Sequence, residues 1–389
     1  MWIDRLMTPR IEQALASRPV VMLTGARQTG KSSLLRRLLP QAEYITLDRV
    51  SVAMEAEENP AHLFDRLGSQ TILDEVQYAP SLFRELKILV DTDRNNYGRW
   101  VLTGSQRFVL MKHIRESLAG RISILHLETL SAKELRDSPA PFEKKPTTLL
   151  WKGGYPELWA NPAIDPAMYF EDYIQTYLER DLNEIIKAAN LRDFRRFITI
   201  CATRVGQLLN YSDIAKDVAV SANTIKQWIS ILEASGIICI LPPYYGNINK
   251  RLIKAPKLYF SDTGLLCNLL NINDYEGWYA HPQKGSLWEN FVLNEYMKTT
   301  ASVPGKNLFF YRDKNNVEID FVIERGGSIT LIEAKAAERI DERGLNFSKV
   351  RTVFEGKKVD CTVACRIQEH HFIQLKSYNL VNPLLHDLA

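Results

Sequence analysis

A glycine-containing loop between an apolar run and a leucine-periodic stretch is the part of this sequence best suited to chemistry. It reads G-x-x-x-x-G-K-S, the Walker A arrangement in its strand–loop–helix context. The glycines let backbone N–H groups surround a phosphate, and the next helix adds the partial positive charge of its N-terminus. Lys31 can reach the β- and γ-phosphates, which makes it a catalytic candidate, and Ser32 can ligate Mg²⁺. We therefore predict ATP and Mg²⁺ as cofactors, with nucleotide binding by the whole loop: Gly25, Ala26, Arg27, Gln28, Thr29, Gly30, Lys31, Ser32 and Ser33.

The next candidate motif ends in two adjacent acidic residues. The apolar segment Gln70–Gln77 contains Asp74 and Glu75 at its polar end, which is the Walker B form with a following glutamate. Asp74 would hold Mg²⁺ through water, and Glu75 would orient and deprotonate the attacking water. A later apolar run ends at Thr103 and Ser105, where a polar side chain would sense the γ-phosphate. A plain turn is the alternative for these two residues.

Arg121 is the candidate for an arginine finger. It follows Glu116-Ser-Leu-Ala-Gly, and its cation would stabilise the charge on the transferred phosphoryl group in the site of a neighbouring subunit. Arg107 and Arg115 compete for that role, and a surface ion pair is the alternative for each of the three.

A second polar constellation lies near the C-terminus. Gly326-Gly327 separates two alternating runs, which predicts a two-residue hairpin. That register places Asp320 opposite Glu333 and Glu318 opposite Lys335, and directly opposed residues share a face about 4.5–5.5 Å apart. Two carboxylates and a lysine then converge on one patch. The other face would turn four apolar residues into a core: Ile319, Phe321, Ile332 and Ala334.

This D-x(n)-E-x-K layout resembles that of the PD-(D/E)xK nucleases. The resemblance implies that Asp320 and Glu333 bind Mg²⁺ and that Lys335 positions or activates water, as catalytic residues. Glu289, on a preceding amphipathic helix predicted over Leu287–Met297, would complete the acidic cluster. The alternatives are a solvated hairpin and an inherited nuclease fold that no longer cuts.

A winged helix-turn-helix is predicted between the two sites. Helices over Tyr211–Val218 and Ala222–Glu233, capped by Ser212 and Ser221, precede an apolar strand. In a major groove the second helix would present polar side chains, and a basic run would line the wing. The predicted DNA contacts are Asn223, Thr224, Lys226, Gln227, Lys250 and Arg251, with Lys254 and Lys257 also on the wing. Because the helix offers one positive charge, protein packing is the alternative use of this domain.

The chain resembles bacterial and archaeal AAA-type ATPases whose C-terminal half has long been described as a domain of unknown function. The strings that carry this resemblance span nearly the whole chain: Gly25–Ser32, Leu73–Gln77, Leu102–Ser105, Ser117–Arg121, Gly153–Glu157 and Tyr177–Asp181. It implies a homo-oligomer, a hexamer, with a winged-helix and nuclease-like C-terminal half. It does not supply a defined substrate.

The elements that must position these residues predict an α/β chain of three domains. Strands alternating with helices indicate a P-loop ASCE-type domain with a parallel sheet over residues 1–145. A helical and winged helix-turn-helix domain follows over 146–250, and a nuclease-like α/β domain over 251–389. Helices are predicted over Ala53–Leu67, Leu82–Asp91 and Leu191–Thr203.

Composition narrows the class of function. The net charge is +3, so any nucleic-acid surface must be local. The five scattered cysteines fit reduced thiols, and no apolar run approaches the length of a membrane span. We predict a cytoplasmic Mg²⁺-dependent ATPase that oligomerises and processes DNA, without membrane partners. The alternative is a nucleotide-gated signalling switch or scaffold whose C-terminal domains bind proteins.

Overall fold

The computed structural model describes residues 1–105, 117–179, 191–244, 255–300, 302–368, 374–375 and 378–388. The chain divides into two compact units. The N-terminal unit is Asp4–Glu128 with Ala234–Gly236, and the C-terminal unit is Met1–Ile3, Thr129–Glu233 and Ile237–Ala389. The three-domain division stays a prediction.

A five-stranded parallel sheet organises the N-terminal unit. Its strands are β1 (Val20–Thr24), β2 (Glu43–Thr46), β3 (Thr71–Asp74), β4 (Trp100–Gly104) and β5 (Ile122–His126). They lie in the order β2-β3-β4-β1-β5, so β4 separates the strand before the glycine loop from the strand that ends in Asp74. Because side chains on both faces are buried, the strands read as continuous apolar runs. The predicted parallel α/β fold is confirmed.

One helix of this unit precedes β1, and the others lie between its strands in sequence. They are α1 (Thr8–Leu15), α2 (Lys31–Leu38), α3 (Val50–Glu58), α4 (Pro60–Asp65) and α5 (Leu82–Thr92), with a 3₁₀ turn at Val76–Tyr78. The single helix predicted over Ala53–Leu67 was wrong. Pro60 displaces the residue before it from helical geometry, and Asn59 caps the second helix through the N–H of His62.

Short helices begin the C-terminal unit. They are α6 (Ala132–Arg136), α7 (Thr148–Lys152), α8 (Pro156–Ala160), α9 (Pro166–Tyr173) with a π-helical continuation at Ile174–Glu179, and α10 (Leu191–Thr203). Next come α11 (Tyr211–Val218), α12 (Ala222–Ala234) and the antiparallel pair β6 (Ile238–Leu241) and β7 (Lys257–Phe260). Asn210 caps α11, because its side chain accepts the N–H groups of Ser212 and Asp213. The predicted Ser212 cap was therefore wrong, whereas Ser221 accepts the N–H of Thr224 as expected.

A six-stranded mixed sheet ends the chain. Its strands are β8 (Leu308–Arg312), β9 (Glu318–Arg325), β10 (Ser328–Lys335), β11 (Lys358–Cys365), β12 (Gln374–Leu375) and β13 (Tyr378–Val381). Their order is β12-β13-β11-β10-β9-β8. The associated helices are α13 (Thr263–Leu269), α14 (Tyr275–Ala280), α15 (Lys284–Thr300) and α16 (Phe347–Arg351), with 3₁₀ turns at Glu342–Gly344 and Thr352–Phe354.

The amphipathic character predicted for the helix over Leu287–Met297 was wrong, because polar residues of α15 are buried as well as its apolar ones. Asn290, Asn294 and Glu295 are each at most 2% exposed. Asn290 exchanges hydrogen bonds with the backbone of Phe260, and Glu295 accepts the N–H of Ala132. These bonds satisfy Asn290 and one carboxylate oxygen of Glu295, whereas Asn294 and the other oxygen of Glu295 are buried without a hydrogen-bond partner among the described residues.

A bulge in β9 shifts the predicted division between its two faces. Phe309 pairs with Val322 and Tyr311 with Ile319, so β9 holds one more residue than β8 between these pairs. Ile319 consequently packs in the apolar cluster of Val322. Phe321, Ile332 and Ala334 lie in the other cluster, as predicted for them. Asp320 lies within this irregular stretch.

Among the helices of the described residues, none combines the length and the apolar character that crossing a membrane requires.

Candidate nucleotide-binding and acidic sites

The glycine loop joins β1 to α2 with the backbone geometry that its sequence predicts. Gly25 has a φ of 151° and Gly30 a φ of 90°, and Lys31 begins the helix. A Cβ on Gly25 would lie 2.4 Å from the carbonyl oxygen of Leu127. The close approach and the positive φ therefore both require glycine at this position.

Lys31 lies buried under the loop. Its Nζ donates to the carbonyl oxygens of Gly25 at 3.1 Å and Ala26 at 2.9 Å. Burial lowers the pKa of Lys31, and the carboxylates of Glu75 and Asp74 act in the opposite direction. The ammonium thus contacts the loop carbonyls and is close enough to the two acids at the end of β3 for their charges to influence its pKa.

Asp74 is surrounded by three hydroxyl groups. Its Oδ1 accepts from Ser32 at 2.8 Å and from Thr103, and its Oδ2 accepts from Tyr44 at 2.5 Å. Burial and the bond to Asp74 raise the pKa of Tyr44 to about 12. The sequence analysis missed Tyr44. Tyr44 lies near the end of β2, the strand beside β3, and a polar side chain at that position could have been predicted to reach Asp74.

Glu75 is held by its backbone and by its side chain. It has a left-handed φ of 58°, and its N–H donates to Thr103 Oγ1 at 3.2 Å. Its Oε2 accepts from Gln77 Nε2 at 2.5 Å and from Ser105 Oγ at 3.4 Å. Thr103 therefore bonds to both acids, and Ser105 to the second. Contact of either hydroxyl with a phosphate stays a prediction.

The predicted arginine finger is paired in this structure. Arg121 donates to Asp91 of α5 through Nε at 2.6 Å and through a terminal nitrogen at 2.9 Å. This bond lowers the pKa of Asp91. The role of Arg121 towards another subunit stays a prediction, and its competitors Arg107 and Arg115 lie outside the described residues.

The remaining loop residues differ in exposure. Ala26 and Thr29 are buried, Arg27 is half-buried, and Gln28 and Ser33 are exposed. Thr29 Oγ1 donates to the Ala26 carbonyl at 3.0 Å, and Arg27 donates to the Tyr78 hydroxyl at 3.3 Å. The exposed Ser33 side chain lies on the solvent side of α2, and its part in nucleotide binding stays a prediction.

Arg5 is a second residue that the sequence analysis missed. Its guanidinium is buried and donates to the carbonyl oxygens of Thr29 at 2.8 Å and Glu128 at 2.5 Å. It thereby ties the loop to the chain that follows β5. A basic residue before α1 carries no motif, so only the fold identifies it.

Replacing Arg5 with alanine should destabilise the protein and weaken nucleotide binding. The change removes two charge-assisted hydrogen bonds, one of them buried and one partly buried, at a cost of about 3 kcal/mol. Urea unfolding and titration with a fluorescent ATP analogue measure the two effects. The control is Arg10→Ala, an exposed arginine on α1. Equal unfolding midpoints for the two variants would contradict the role assigned to Arg5.

Asp320, Glu333 and Lys335 meet in the C-terminal unit at the open end of the β9–β10 hairpin. The hairpin register is the predicted one, from Arg325 opposite Ser328 to Phe321 opposite Ile332. Asp320 accepts the N–H of Ala334 at 2.8 Å, and Lys335 Nζ donates to Glu333 Oε2 at 2.6 Å. The other oxygen of Glu333, Oε1, is buried and no donor among the described residues meets it with hydrogen-bond geometry, although the backbone N–H of Asn346 is near enough to lower the pKa of this carboxyl.

The ionisation of this acidic site reflects its burial. Burial, and then the charge of Asp320, raise the pKa of Glu333 to about 7, against the opposite effect of Lys335. Burial lowers the pKa of Lys335, but Asp320 and Glu333 more than offset that effect and the net shift is upward. The three charges are therefore interdependent.

Lys257 is buried beside this site, so its predicted place on an exposed wing was wrong. Its Nζ contacts Glu289 Oε1 at 2.9 Å and Glu318 Oε1 at 2.5 Å, and Tyr259 donates to the same oxygen of Glu289. Burial lowers the pKa of Lys257, but Glu289, Asp320 and Glu318 raise it by more. Glu318, which was predicted to face Lys335, lies beyond the paired residues of the hairpin, which end at Phe321 and Ile332, and its carboxylate contacts Lys257 of β7.

The predicted metal ligands do not form a three-residue cluster. Within the described ranges, no three His, Cys, Asp or Glu side chains converge as a metal-binding group. Glu289 is bonded to Lys257 and Tyr259, and burial, opposed by Lys257, raises its pKa to about 7. The metal-binding roles of Asp320 and Glu333 stay predictions.

Helix α12 presents most of its predicted DNA contacts to solvent. Asn223, Lys226 and Gln227 are exposed, and Thr224 is half-buried with its hydroxyl 2.7 Å from that of Ser221. The wing candidates Lys250, Arg251 and Lys254 lie outside the described residues. DNA contact by the helix stays a prediction.

Comparison with known proteins identifies the family. A family model described as an AAA domain matches residues 17–136, and two described as domains of unknown function, DUF8612 and DUF4143, match residues 143–276 and 284–376. Uncharacterized protein Rv2008c of Mycobacterium tuberculosis is 33% identical over 321 residues, which cover 82% of this chain and 70% of that protein. Uncharacterized protein Mb2031c of Mycobacterium bovis matches to the same extent. The chain belongs to this family of AAA-domain P-loop ATPases.

Two solved structures resemble the ATPase more distantly. The Walker-type ATPase paby2304 of Pyrococcus abyssi is 18% identical with a TM-score of 0.46, covering 69% of this chain and 96% of that one. The Holliday junction branch migration motor RuvB of Thermotoga maritima is 15% identical with a TM-score of 0.33, covering 62% and 90%. In the present chain, the residues that match the AAA-domain model include the glycine loop, Asp74 and Glu75. Arg5 lies before the first matched residue.

Proposed function

We propose that this ATPase is Mg²⁺-dependent, assembles into a homo-oligomer, and uses ATP turnover to act on DNA. The observation that carries the DNA assignment is the meeting of Asp320, Glu333 and Lys335 beside a buried, unpartnered oxygen of Glu333. A buried carboxylate oxygen without a donor is costly, and a bound cation offsets that cost.

The residues of the nucleotide site fit Mg²⁺. Ser32 and Asp74 bring a hydroxyl and a carboxylate within 2.8 Å of each other, and Mg²⁺ prefers such oxygen ligands. These two residues would hold the ion, Asp74 through water. A bound Mg²⁺ would supply positive charge against the negative charge that develops on the transferred phosphoryl group.

The donor set of the acidic site also fits a divalent cation. Asp320 and Glu333 would hold the cation, which would act as a Lewis acid on the phosphodiester group. Lys335 lies on the same strand as Glu333, with its ammonium against the carboxylate, and would orient water or a phosphate oxygen. The exposed polar side chains of α12 would contact the duplex.

A nucleotide-gated scaffold for protein partners is the second candidate. The burial of Lys257 favours this candidate, because a buried lysine does not contact a DNA phosphate from the surface of the wing. Phosphate contacts from lysine and arginine dominate DNA affinity. For a scaffold, we expect slow turnover, no DNA binding at moderate salt, and an assembly state that ATP changes. Light scattering with and without ATP measures that state and tests the hexamer.

The experiment that separates the candidates is an ATPase assay with single-stranded, duplex, forked and four-way DNA. A motor is expected to hydrolyse ATP several-fold faster with at least one of these substrates. Turnover that none of them changes would favour the scaffold. The substitution Lys226→Ala should reduce the DNA-stimulated rate, because it removes an exposed cation from the helix that would contact DNA. The rate without DNA should be unchanged.

Cleavage is tested separately with supercoiled plasmid, Mg²⁺ and ATP. A nuclease is expected to nick the plasmid, and Asp320→Ala to reduce nicking by about 10²-fold or more while ATP turnover persists. Asp360→Asn is the matched control, because Asp360 is an exposed acid on the same sheet. Equal nicking by the wild type and Asp320→Ala would contradict a catalytic role for this site.

A further inference from the structure

Gln77 occupies a buried position beside the predicted catalytic base. It belongs to the 3₁₀ turn that follows Glu75 and is 7% exposed. Its Nε2 donates to Glu75 Oε2 at 2.5 Å and lies 3.5 Å from Ser105 Oγ. The amide orientation follows from charge, because a carboxylate accepts from the nitrogen of an amide and repels its oxygen.

The other end of this amide has no bond. Gln77 Oε1 is buried and has no hydrogen-bond partner among the described residues. Asn and Gln oxygens in protein interiors nearly always accept a hydrogen bond, and an unmade one costs free energy. An unused acceptor directly beside a catalytic carboxylate therefore points to a donor that joins the site during the reaction.

The attacking water has two protons and needs two acceptors to be held. Glu75 supplies one, and it takes that proton as the water oxygen bonds to the γ-phosphorus. We propose that Gln77 Oε1 supplies the other, accepting the second O–H so that a lone pair of the water points at phosphorus. The bond from the γ-phosphorus to the bridging oxygen breaks, its electron pair leaves with ADP, and the products are ADP and inorganic phosphate.

One residue would then serve two purposes. Its N–H fixes Glu75 at 2.5 Å, and its carbonyl oxygen fixes the water that Glu75 deprotonates. Orientation of a reacting water is worth a large factor in rate, since a displacement of about 1 Å can cost about 10²-fold. This inference rests on hydrolysis at the glycine loop and on Glu75 as the base, and it is independent of DNA.

Two substitutions separate the water-holding role from simple support of Glu75. Gln77→Met removes donor and acceptor at similar size, whereas Gln77→Lys keeps a donor for Glu75 and removes the acceptor. The maximal ATPase rate at saturating ATP and Mg²⁺, the plateau, is measured for each variant, because loss of the acceptor lowers it even where a donor to Glu75 remains. Both variants are expected to lower the plateau by about 10-fold to 100-fold and to keep nucleotide affinity within about three-fold.

A plateau for Gln77→Lys within about three-fold of the wild type would overturn the proposal, because support of Glu75 would then suffice. Binding of a fluorescent ATP analogue shows that each variant is folded around the nucleotide, and either variant alone decides the outcome if the other does not fold. The matched control is Gln70→Met, immediately before β3, where Gln70 Nε2 donates to the Gly98 carbonyl at 2.9 Å. It removes a glutamine hydrogen bond from the same strand region and should leave the plateau unchanged.

Discussion

Replacing Glu75 with glutamine is expected to lower ATP turnover by about 10³-fold and to leave nucleotide binding within about three-fold. The amide has the size of the carboxylate and its oxygen can still accept from Gln77 and Ser105, which hold Glu75 in this structure. It cannot accept the proton of the attacking water. The change therefore removes an interaction that strengthens in the transition state and spares those made in the ground state.

Steady-state phosphate release and titration with a fluorescent ATP analogue measure the two quantities for Glu75→Gln. The control is Glu58→Gln, an exposed glutamate at the end of α3. A turnover for Glu75→Gln within about ten-fold of the control would show that another group takes the proton. Tight binding without turnover would also supply a stable nucleotide-bound form for testing whether ATP changes the assembly state.

The sequence predicts this site well where the chemistry depends on neighbouring residues. The glycine loop, the acid pair after β3 and the hairpin turn at Gly326-Gly327 are local motifs, and the structure has the expected backbone at each. The order of the sheet, with β4 between β1 and β3, also places Thr103 where a bond to Asp74 is possible.

The residues that sequence reasoning missed act across long separations in the chain. Arg5 reaches Thr29 and Glu128, and Tyr44 reaches Asp74, through contacts that only the packed unit creates. The sequence places Gln77 two residues after Glu75, but the absence of a donor to its Oε1 among the described residues depends on the conformation of the 3₁₀ turn. Composition and spacing do not encode these contacts.

The errors in the C-terminal unit have the same origin. Lys257 follows a basic run and reads as a surface cation, yet the attraction of Glu289 and Glu318 offsets the cost of burying it. Ile319 reads as a partner of Phe321 by strict alternation, yet the bulge in β9 places it in the other cluster. Charge pairing between distant elements and strand irregularity override local periodicity in both cases.

Replacing Lys31 with alanine is expected to weaken nucleotide binding by about 10²-fold or more. The ammonium lies under the loop, within hydrogen-bond distance of the Gly25 and Ala26 carbonyls, and is the group that would reach the β- and γ-phosphates. Charge-assisted hydrogen bonds are worth about 1.5–3 kcal/mol each, so the loss of two to phosphate accounts for this factor. Burial lowers the pKa of Lys31, and the charges of Glu75 and Asp74 oppose that shift.

Thermal unfolding in the presence of ATP and Mg²⁺ measures this loss without relying on turnover. At a ligand concentration of about 100 times the dissociation constant, binding stabilises a folded protein by about 2.7 kcal/mol, and Lys31→Ala should forfeit most of that gain. Arg37→Ala, which removes an exposed cation from the same helix, should retain it. Equal stabilisation of Lys31→Ala and Arg37→Ala by nucleotide would show that binding does not depend on the loop. Stabilisation that survives in Glu75→Gln and fails in Lys31→Ala would assign binding to the lysine and proton transfer to the glutamate.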